Sequence, residues 1–497
     1  MQPRTHPRAY PRAREAAGGP LEGRPVVAGV RDPIEIAVLS HDGMQDVAPG
    51  VAALAGVPPS AVAAASARRR PRVFYGYYML ASMMGIHWYM SAAFVYGFGV
   101  LFVPILETFG WSRGLGSFAA SFRQPVGGAM GPLVGMFVDR YGARPVVISG
   151  VLITSFGLAS LSWMQSLWML FASFGIISLG MSATLGVGFN SAIVNWFVRN
   201  RGRALGIGYS GAILSGPFVG VVVWMEATYG WRDTAFMTGV GMLVLGLPLS
   251  LIVRTRPSDI GQLPDGDDPD DPVAVEAQRV AQSGPQSSAG DALRNPNLWL
   301  LGLVFGLLSM GISGFMLHQI PYFESLGFTR GEAASTLAYF TILSVVGRIG
   351  AGFVMDWMGR RGLDLRLVPA GLLATQAVAL FYAPYIQSYW QIIPFTLLFG
   401  ISFGGSIPAR PILITRVFGL RQYGTIQGTF NFLVIPFAVV SPMLLGLFYD
   451  WRGNYHAAVM LLAVLTTVGI ASAFLLRLPP LPGEASAAEQ PSDSRAA

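Results

Sequence analysis

The chain has 497 residues, of which 53% are hydrophobic and only 12% are charged. Soluble domains carry roughly 25% charged residues, and the mean hydropathy here is +0.51. Because so few charges cannot cover the surface of a soluble protein of this size, composition excludes a soluble enzyme and an ordinary nucleic-acid-binding protein. All 33 basic residues are arginines, and the absence of Cys excludes disulfides, thiolate chemistry and cysteine-ligated metal sites.

The N-terminal 72 residues differ from the rest of the chain. They are rich in Arg, Pro, Ala and Gly, and they contain no apolar run long enough to span a bilayer. Acidic residues in this region argue against a transit peptide, and the lack of an apolar core segment argues against a signal peptide. We therefore expect residues 1–72 to be a disordered cytoplasmic tail, and residues 478–497 to be a second disordered tail.

From Phe74 onward, apolar segments of about 20 or more residues recur, each long enough to cross a hydrocarbon core of about 30 Å. They predict an all-α integral membrane protein with a six-helix bundle at 73–253 and another at 298–477. The Asp- and Pro-rich region 254–297 is predicted to be a disordered cytoplasmic linker between them. The twelve predicted transmembrane helices are 74–105, 114–138, 144–163, 167–196, 204–226, 233–253, 298–322, 332–355, 366–384, 389–415, 422–448 and 455–477.

The distribution of arginines among the loops predicts the orientation in the membrane. One set of short loops carries two or three arginines in most loops, whereas the alternate loops carry one each. By the positive-inside rule, the arginine-rich loops are cytoplasmic. Both termini are then cytoplasmic, as an even number of helices requires, and we expect a multi-pass protein of the plasma (cell inner) membrane.

The two halves of the chain repeat each other. Segment 107–114 matches segment 324–331, and segment 135–140 matches segment 352–357, both at an offset of 217 residues. A shared offset in two separate loops predicts two parallel six-helix repeats. In such proteins the substrate path lies between the repeats, and transport occurs by alternating access.

The repeated loop carries a recognisable motif. The pattern G-x-x-x-D-R-x-G-x-R at residues 135–144, with a degenerate copy at 352–361, resembles the hallmark cytoplasmic loop of the major facilitator superfamily. The resemblance covers about residues 74–477 and implies the major facilitator fold of two pseudo-symmetric six-helix bundles. In that family the loop is a conformational latch. The resemblance thus implies gating roles for Gly135, Asp139, Arg140, Arg144 and Asp356.

Within that superfamily, several stretches are similar to the branch of monocarboxylate transporters and oxalate/formate exchangers. They include residues 109–113, 196–206 and 318–322, and the pair Gly347-Arg348. This similarity implies that Arg348, in predicted helix eight, binds the substrate carboxylate. The sequence departs from the branch at Ser344, where proton-coupled carriers have Asp, and it has no helix-eleven Lys. These departures count against proton coupling of that type and against dicarboxylate selectivity.

The residues themselves also single out Arg348. An arginine at the centre of a membrane helix is unfavourable by roughly 2.5–3.5 kcal/mol on insertion scales and is by default a functional candidate. Arg348 precedes Asp356 by eight residues, which places it about 12 Å from the helix end. No Asp or Glu lies within the core of a predicted helix. A permanently charged guanidinium suits a carboxylate ligand, whereas the alternative is a structural arginine satisfied by backbone carbonyls.

Four other polar residues are candidate contacts for substrate. Ser344 lies one turn from Arg348 on the same helix face. Arg123, in predicted helix two, is either a second anion contact or a cation that snorkels to the interface. Gln427 and Asn431 lie one turn apart on predicted helix eleven, either at the site or in interhelical hydrogen bonds.

Three further residues have open interpretations. His87 and His318 are candidates for proton coupling, because histidine titrates near neutral pH. A histidine satisfied by hydrogen bonds is the alternative for each. Arg410 is interpreted as a snorkelling or gate residue more than as a ligand contact.

The sequence thus predicts secondary active or facilitative transport of a small organic anion, with a monocarboxylate as the expected cargo. The alternatives are efflux of amphipathic or drug-like compounds and a non-transporting ligand sensor on the same fold. We expect no catalytic residues, metal, cofactor or nucleic acid. The expected partners are the substrate and the lipid bilayer, and the expected state is a monomer.

Overall fold

The structure is a computed structural model that describes residues 73–112, 115, 123–269, 271, 272, 275, 278, 279 and 284–479. For residues 123 and 124 it describes the backbone alone. The predicted N-terminal tail, 1–72, and residues 480–497 of the predicted C-terminal tail lie outside the described residues.

The described part of the chain is helical and contains no strand. Ten helical stretches are long and apolar enough to cross a membrane, which is consistent with the twelve predicted crossings. One of the ten, Arg201–Ile252, is interrupted at Gly230 by non-helical backbone (φ 80°, ψ 168°), so it contains two helices. The second predicted helix is described from Arg123 onward, as two short segments.

We number the helices in chain order. They are α1 (Gly76–Phe109), α2 (Arg123–Ala129 and Gly131–Tyr141), α3 (Ala143–Trp163), α4 (Leu167–Trp196), α5 (201–229), α6 (231–252), α7 (Pro296–Ser325), α8 (Arg330–Arg360), α9 (Leu367–Tyr385), α10 (Tyr389–Phe418), α11 (Tyr423–Arg452) and α12 (His456–Phe474).

Large apolar side chains cover much of the outer surface of the helices. Phe156 on α3, Val244 on α6, Ile342 on α8 and Met443 on α11 are all more than half exposed. Exposed apolar surface on this scale marks contact with a non-aqueous environment. Because a helix satisfies its own backbone hydrogen bonds, it is the element that can present such a surface to lipid.

Several helices change their winding near the middle. α1, α4 and α6 contain π-helical turns at Ser91–Tyr96, Ser182–Gly186 and Met242–Gly246. α5 changes to a 3-10 helix at Ser210–Leu214. Such interruptions redirect backbone carbonyls from the regular hydrogen-bond pattern and are frequent at functional sites.

Glycines bring the two halves of the molecule together at one end. α2 meets α11 where a Cβ on Gly135 would overlap the carbonyl oxygen of Gly424. α5 meets α8 where a Cβ on Gly352 would overlap the carbonyl oxygen of Gly202. Small residues permit this backbone-to-backbone approach. We call this end, which also carries Asp139 and Asp356, the arginine-rich end. The glycine contacts close the space between the two halves there.

The described parts of the linker are folded, and the expectation of disorder there is wrong. Residues 257–266 form two 3-10 turns, and Ala289–Arg294 forms a short helix. Asp265 adopts a left-handed conformation (φ 59°) and accepts hydrogen bonds from the backbone N–H groups of Val198 (3.0 Å), Arg199 (2.9 Å) and Asn200 (3.3 Å). An acid-rich composition predicts disorder. This part of the linker is ordered because the Asp265 carboxylate accepts hydrogen bonds from the backbone N–H groups of the loop between α4 and α5.

The C-terminal end of the linker contacts the loop that precedes α11. The backbone N–H of Ser287 donates to the carbonyl of Phe418 at 2.9 Å, and that of Ala289 donates to Oε1 of Gln422 at 2.6 Å. The two ends of the linker therefore contact the two loops that lead into α5 and α11.

Candidate functional site

Arg348 lies on α8 where the two halves meet, and it is 4% exposed. Its Nη1 donates a hydrogen bond to the backbone carbonyl of Tyr209, on α5 of the other half, at 2.8 Å. Its guanidinium lies 5.6 Å from the ring centroid of Phe403 on α10. Its Nε is buried and has no partner among the described residues. The guanidinium of Arg348 thus has only neutral partners, and these leave its Nε without a hydrogen bond among the described residues.

Tyr209 is fixed at both its backbone and its hydroxyl group. Its carbonyl lies where α5 changes to a 3-10 helix. Its hydroxyl is 2.9 Å from Oδ1 of Asn190 and 3.0 Å from the carbonyl of Leu185, both on α4. Leu185 belongs to the π-helical turn of α4, where the wider winding leaves its carbonyl free for the hydroxyl.

Arg410 is a second arginine of the same region. Its Nη2 donates to Oγ of Ser309 on α7 at 2.9 Å, and its guanidinium lies 5.6 Å from the ring centroid of Phe305. Its Nε is also buried without a partner in the described structure. The phenol of Tyr209 lies within electrostatic range of both Arg410 and Arg348. The side chain points into the protein and does not snorkel, and a gate role stays a prediction.

Among the described residues, neither of the two guanidinium groups has an acidic counter-ion. The ion pairs of Arg199, Arg203 and Arg366 with aspartates lie elsewhere. Each aromatic contact stabilises a desolvated cation by about 2 kcal/mol or more, against a desolvation penalty of several kcal/mol for each buried ion. Together the two arginines form a region of uncompensated positive charge.

The two histidines occupy different surroundings. The ring of His87, on α1, packs edge-on against Tyr209 at 5.2 Å, and its Nδ1 is buried without a described partner. His318, on α7, lies 3.0 Å from the carbonyl of Pro442 and 3.3 Å from the hydroxyl of Tyr455. The two ring nitrogens of His318 therefore contact α11 and Tyr455, the residue that precedes α12, both in its own half. A role in proton coupling stays a prediction for each.

Three other residues, Gln427, Asn431 and Ser344, are predicted to contact substrate together with Arg348. Gln427 is buried, and its Oε1 accepts a hydrogen bond from the hydroxyl of Tyr423. Asn431 is half-buried on α11, on the side that faces α2. The hydroxyl of Ser344 donates to the carbonyl of Thr341 at 2.7 Å, within its own helix.

The predicted contact of Arg123 lies outside the described residues, because the structure describes no side chain there.

At the arginine-rich end, Asp139 of α2 reaches the first turn of α11. Its Oδ1 accepts a hydrogen bond from the backbone N–H of Gly424 at 2.8 Å, and its Oδ2 accepts from the N–H of Thr425 at 2.8 Å and from its hydroxyl at 2.6 Å. A helix N-terminus has unsatisfied N–H groups and a partial positive charge, so a carboxylate stabilises it.

Asp356 of α8 makes the matching contact with α5. Its two carboxylate oxygens accept hydrogen bonds from the backbone N–H groups of Gly202 and Arg203, each at 2.8 Å. The guanidinium of Arg203 lies 4.0 Å away.

Of the other predicted gating residues, Gly135 forms the close crossing with α11 described above. Arg140 is exposed, and it borders an open groove together with Asp139 and Arg421. The backbone N–H of Arg144 donates to Oγ1 of Thr255 at 3.3 Å.

Comparison with known proteins identifies the family. A sequence profile described as Major Facilitator Superfamily matches residues 88–434, which is more than half of the chain. The chain belongs to the major facilitator superfamily. Members of this superfamily are transporters and not enzymes, so the chain is a multi-pass membrane transporter.

Two relatives and one solved structure illustrate its place in the superfamily. An MFS-type transporter of Gibberella moniliformis is 29% identical over 65% of this chain and 73% of that protein. Monocarboxylate transporter 13 of Bos taurus is 24% identical over 79% of this chain and 87% of that protein. The crystal structure of the superfamily transporter FucP in the outward conformation matches with a TM-score of 0.56 at 12% identity, over 80% of this chain and 99% of that chain.

The surroundings of Arg348 in this superfamily transporter include residues that sequence reasoning missed. Tyr209 and Asn190 received no role, and Arg410 received a peripheral one. A charged residue in an apolar helix was a signal for Arg410, as it was for Arg348. The sequence held no comparable signal for Tyr209, because its contact with Arg348 uses a backbone carbonyl that any residue possesses.

Proposed function

We propose that this transporter carries a small organic anion, held at Arg348, by alternating access. The observation that supports the proposal is a buried arginine between the two halves whose protein partners are all neutral and whose Nε has none among the described residues. A carboxylate on such a guanidinium forms a charge-assisted, often bidentate pair. Relatives named monocarboxylate transporters 12 and 13 favour a monocarboxylate as the simplest cargo.

Binding between the halves couples the cargo to the conformational change. An anion neutralises a charge that is unfavourable in a dehydrated site, so the loaded site can be enclosed more readily than the empty one. In the conformation described here, the arginine-rich end is closed by glycine contacts and by Asp139 and Asp356. We propose that these contacts of Asp139 and Asp356 separate when the two halves rock. We also propose that the arginine-rich end and both termini are cytoplasmic and that the protein lies in the plasma membrane.

Uptake of labelled anions into proteoliposomes by wild type and Arg348→Gln tests this function. Gln removes the charge and keeps a hydrogen-bonding side chain, so we expect uptake of monocarboxylates to fall by roughly tenfold or more, the equivalent of one charge-assisted pair. Arg330→Gln, an exposed arginine at the start of α8, is the matched control and should retain uptake.

The outcomes separate the alternatives. Undiminished uptake of every anion by Arg348→Gln contradicts the proposal and favours efflux of amphipathic compounds. Arginine-dependent binding without flux identifies a ligand sensor. A pH gradient applied in the same assay shows whether proton movement accompanies transport.

A further inference from the structure

The second uncompensated arginine bears on the kind of anion that the site holds. Arg348 and Arg410 lie on α8 and α10, which pack against each other: a Cβ on Gly404 of α10 would lie 2.8 Å from the backbone nitrogen of Arg348. Arg348 donates to the backbone carbonyl of Tyr209 of the other half, and α10 packs against the segment of α5 that ends at Tyr209. Both arginines thus lie on helices that pack against each other and against α5.

Each guanidinium has the same kind of incomplete environment. Each donates one hydrogen bond to a neutral oxygen, the carbonyl of Tyr209 for Arg348 and the hydroxyl of Ser309 for Arg410. Each lies against one phenylalanine ring, and each has a buried Nε without a partner in the described part of the chain. Because a guanidinium carries five donors, both groups keep donors available for a ligand.

Among the residues that the structure describes, no protein group supplies the negative charge that would balance the pair. Neither arginine forms an ion pair within the described residues. Residues 113, 114 and 116–122, which the structure does not describe, include no Asp or Glu. A monocarboxylate on Arg348 would neutralise one of the two charges and leave the other enclosed with the cargo. A dianion would neutralise both.

We propose that Arg410 is a second anion-binding residue and that the preferred cargo is a small dicarboxylate, with one carboxylate on Arg348 and the other on Arg410. This inference rests on the proposed function and narrows the class of its cargo. The absence of the helix-eleven lysine does not count against it, because α10 supplies the second cation. The separation of the two guanidinium groups sets the preferred chain length of the dicarboxylate.

Equilibrium binding of labelled succinate and butyrate to the purified full-length protein tests the inference. The two anions have the same four-carbon chain and differ by one carboxylate, and malonate and glutarate as competitors vary the length. We expect wild type to bind at least one of the dicarboxylates more tightly than butyrate. Arg410→Gln should weaken binding of that dicarboxylate roughly tenfold more than binding of butyrate, since it removes one charge-assisted pair.

Two further variants keep the result interpretable. Arg330→Gln should leave the dicarboxylate-to-butyrate ratio at the wild-type value. If Arg410→Gln does not fold, Arg410→Lys retains the charge without the planar fork, and it should lower the ratio while keeping a preference for the dicarboxylate. A purely structural Arg410 would change stability and leave the ratio unchanged in both variants.

The inference would be overturned if wild type bound butyrate more tightly than every dicarboxylate. It would also be overturned if no Arg410 substitution altered the dicarboxylate-to-butyrate binding ratio. Either result leaves anion transport at Arg348 intact. Conversely, if Arg348→Gln binds and transports every anion as wild type does, the proposed function itself fails.

Discussion

The carboxylates of Asp139 and Asp356, 217 residues apart, make the same contact in the two halves of the molecule. Each accepts hydrogen bonds of 2.8 Å from the second and third N–H groups of a helix that belongs to the other half, α11 for Asp139 and α5 for Asp356. Each lies one turn from a glycine crossing between the same pair of helices. The internal repeat of the sequence thus becomes a pair of equivalent locks at one end of the protein.

The charge of Asp139 should stabilise the conformation described here. Asp139→Asn keeps one oxygen acceptor but loses the charge, which should weaken the contact by about 1–2 kcal/mol. The chain has no natural cysteine, so Gln427→Cys, at a position that is 3% exposed in this conformation, reports opening. We expect cysteine alkylation to be roughly 5–30 times faster in Asp139→Asn.

Asp450→Asn is the control for this experiment, because Asp450 is exposed at the opposite end of α11. Equal alkylation rates in the Asp139 and Asp450 variants would show that the contact between Asp139 and the first turn of α11 does not stabilise this conformation.

The glycine crossing between α5 and α8 should tolerate no side chain in this conformation. A Cβ on Gly352 would overlap the backbone of Gly202, whereas Gly350, on the same helix, has nothing within 4 Å of its Cβ position. Gly352→Ala should destabilise the closed arginine-rich end by about 1–3 kcal/mol. Gly350→Ala should be neutral or stabilising, because alanine is favoured over glycine in a helix by about 1 kcal/mol.

The Gln427→Cys alkylation assay and the melting temperature of each glycine variant measure these effects. If Gly350→Ala and Gly352→Ala change the alkylation rate and the melting temperature equally, helix propensity and not the glycine crossing causes the change.

Asp265 should contribute to stability even though it lies in a linker. Its side chain is fully buried and accepts hydrogen bonds from three consecutive amides. Asp265→Ala leaves these amides without an acceptor, so we expect a loss of about 1–3 kcal/mol in the free energy of unfolding. The measurement is thermal unfolding of the purified protein.

Two variants separate the causes of that loss. Asp265→Asn retains a residue that tolerates the left-handed backbone. It removes the charge but keeps one of the two acceptor oxygens, so its effect should be smaller than that of Asp265→Ala. Asp233→Asn, an exposed acid on α6, should leave the melting temperature unchanged. An Asp265→Ala protein as stable as wild type would contradict a structural role for the linker.

The linker also shows where composition misleads. Five aspartates within 265–271, together with prolines and glycines, are typical of disorder. The described part of the segment folds because one of those aspartates fits the amides of the loop between α4 and α5, and Arg199 pairs with Asp265 and Asp267. Composition averages over residues, whereas a single well-placed carboxylate can order a turn.

The sequence by itself determined that this chain is a helical membrane protein with two repeated halves, because every backbone hydrogen bond in hydrocarbon must be made within a helix and apolar length is therefore a reliable signal. It also singled out Arg348, since a charge in an apolar segment is conspicuous. Only the tertiary structure decided which groups surround that charge. Tyr209, 139 residues away in sequence, offers a backbone carbonyl, and Arg410 lies on the neighbouring helix α10 with the hydroxyl of Ser309 as its partner. Contacts between helices depend on how the two halves dock, and periodicity along one helix carries no information about its neighbour.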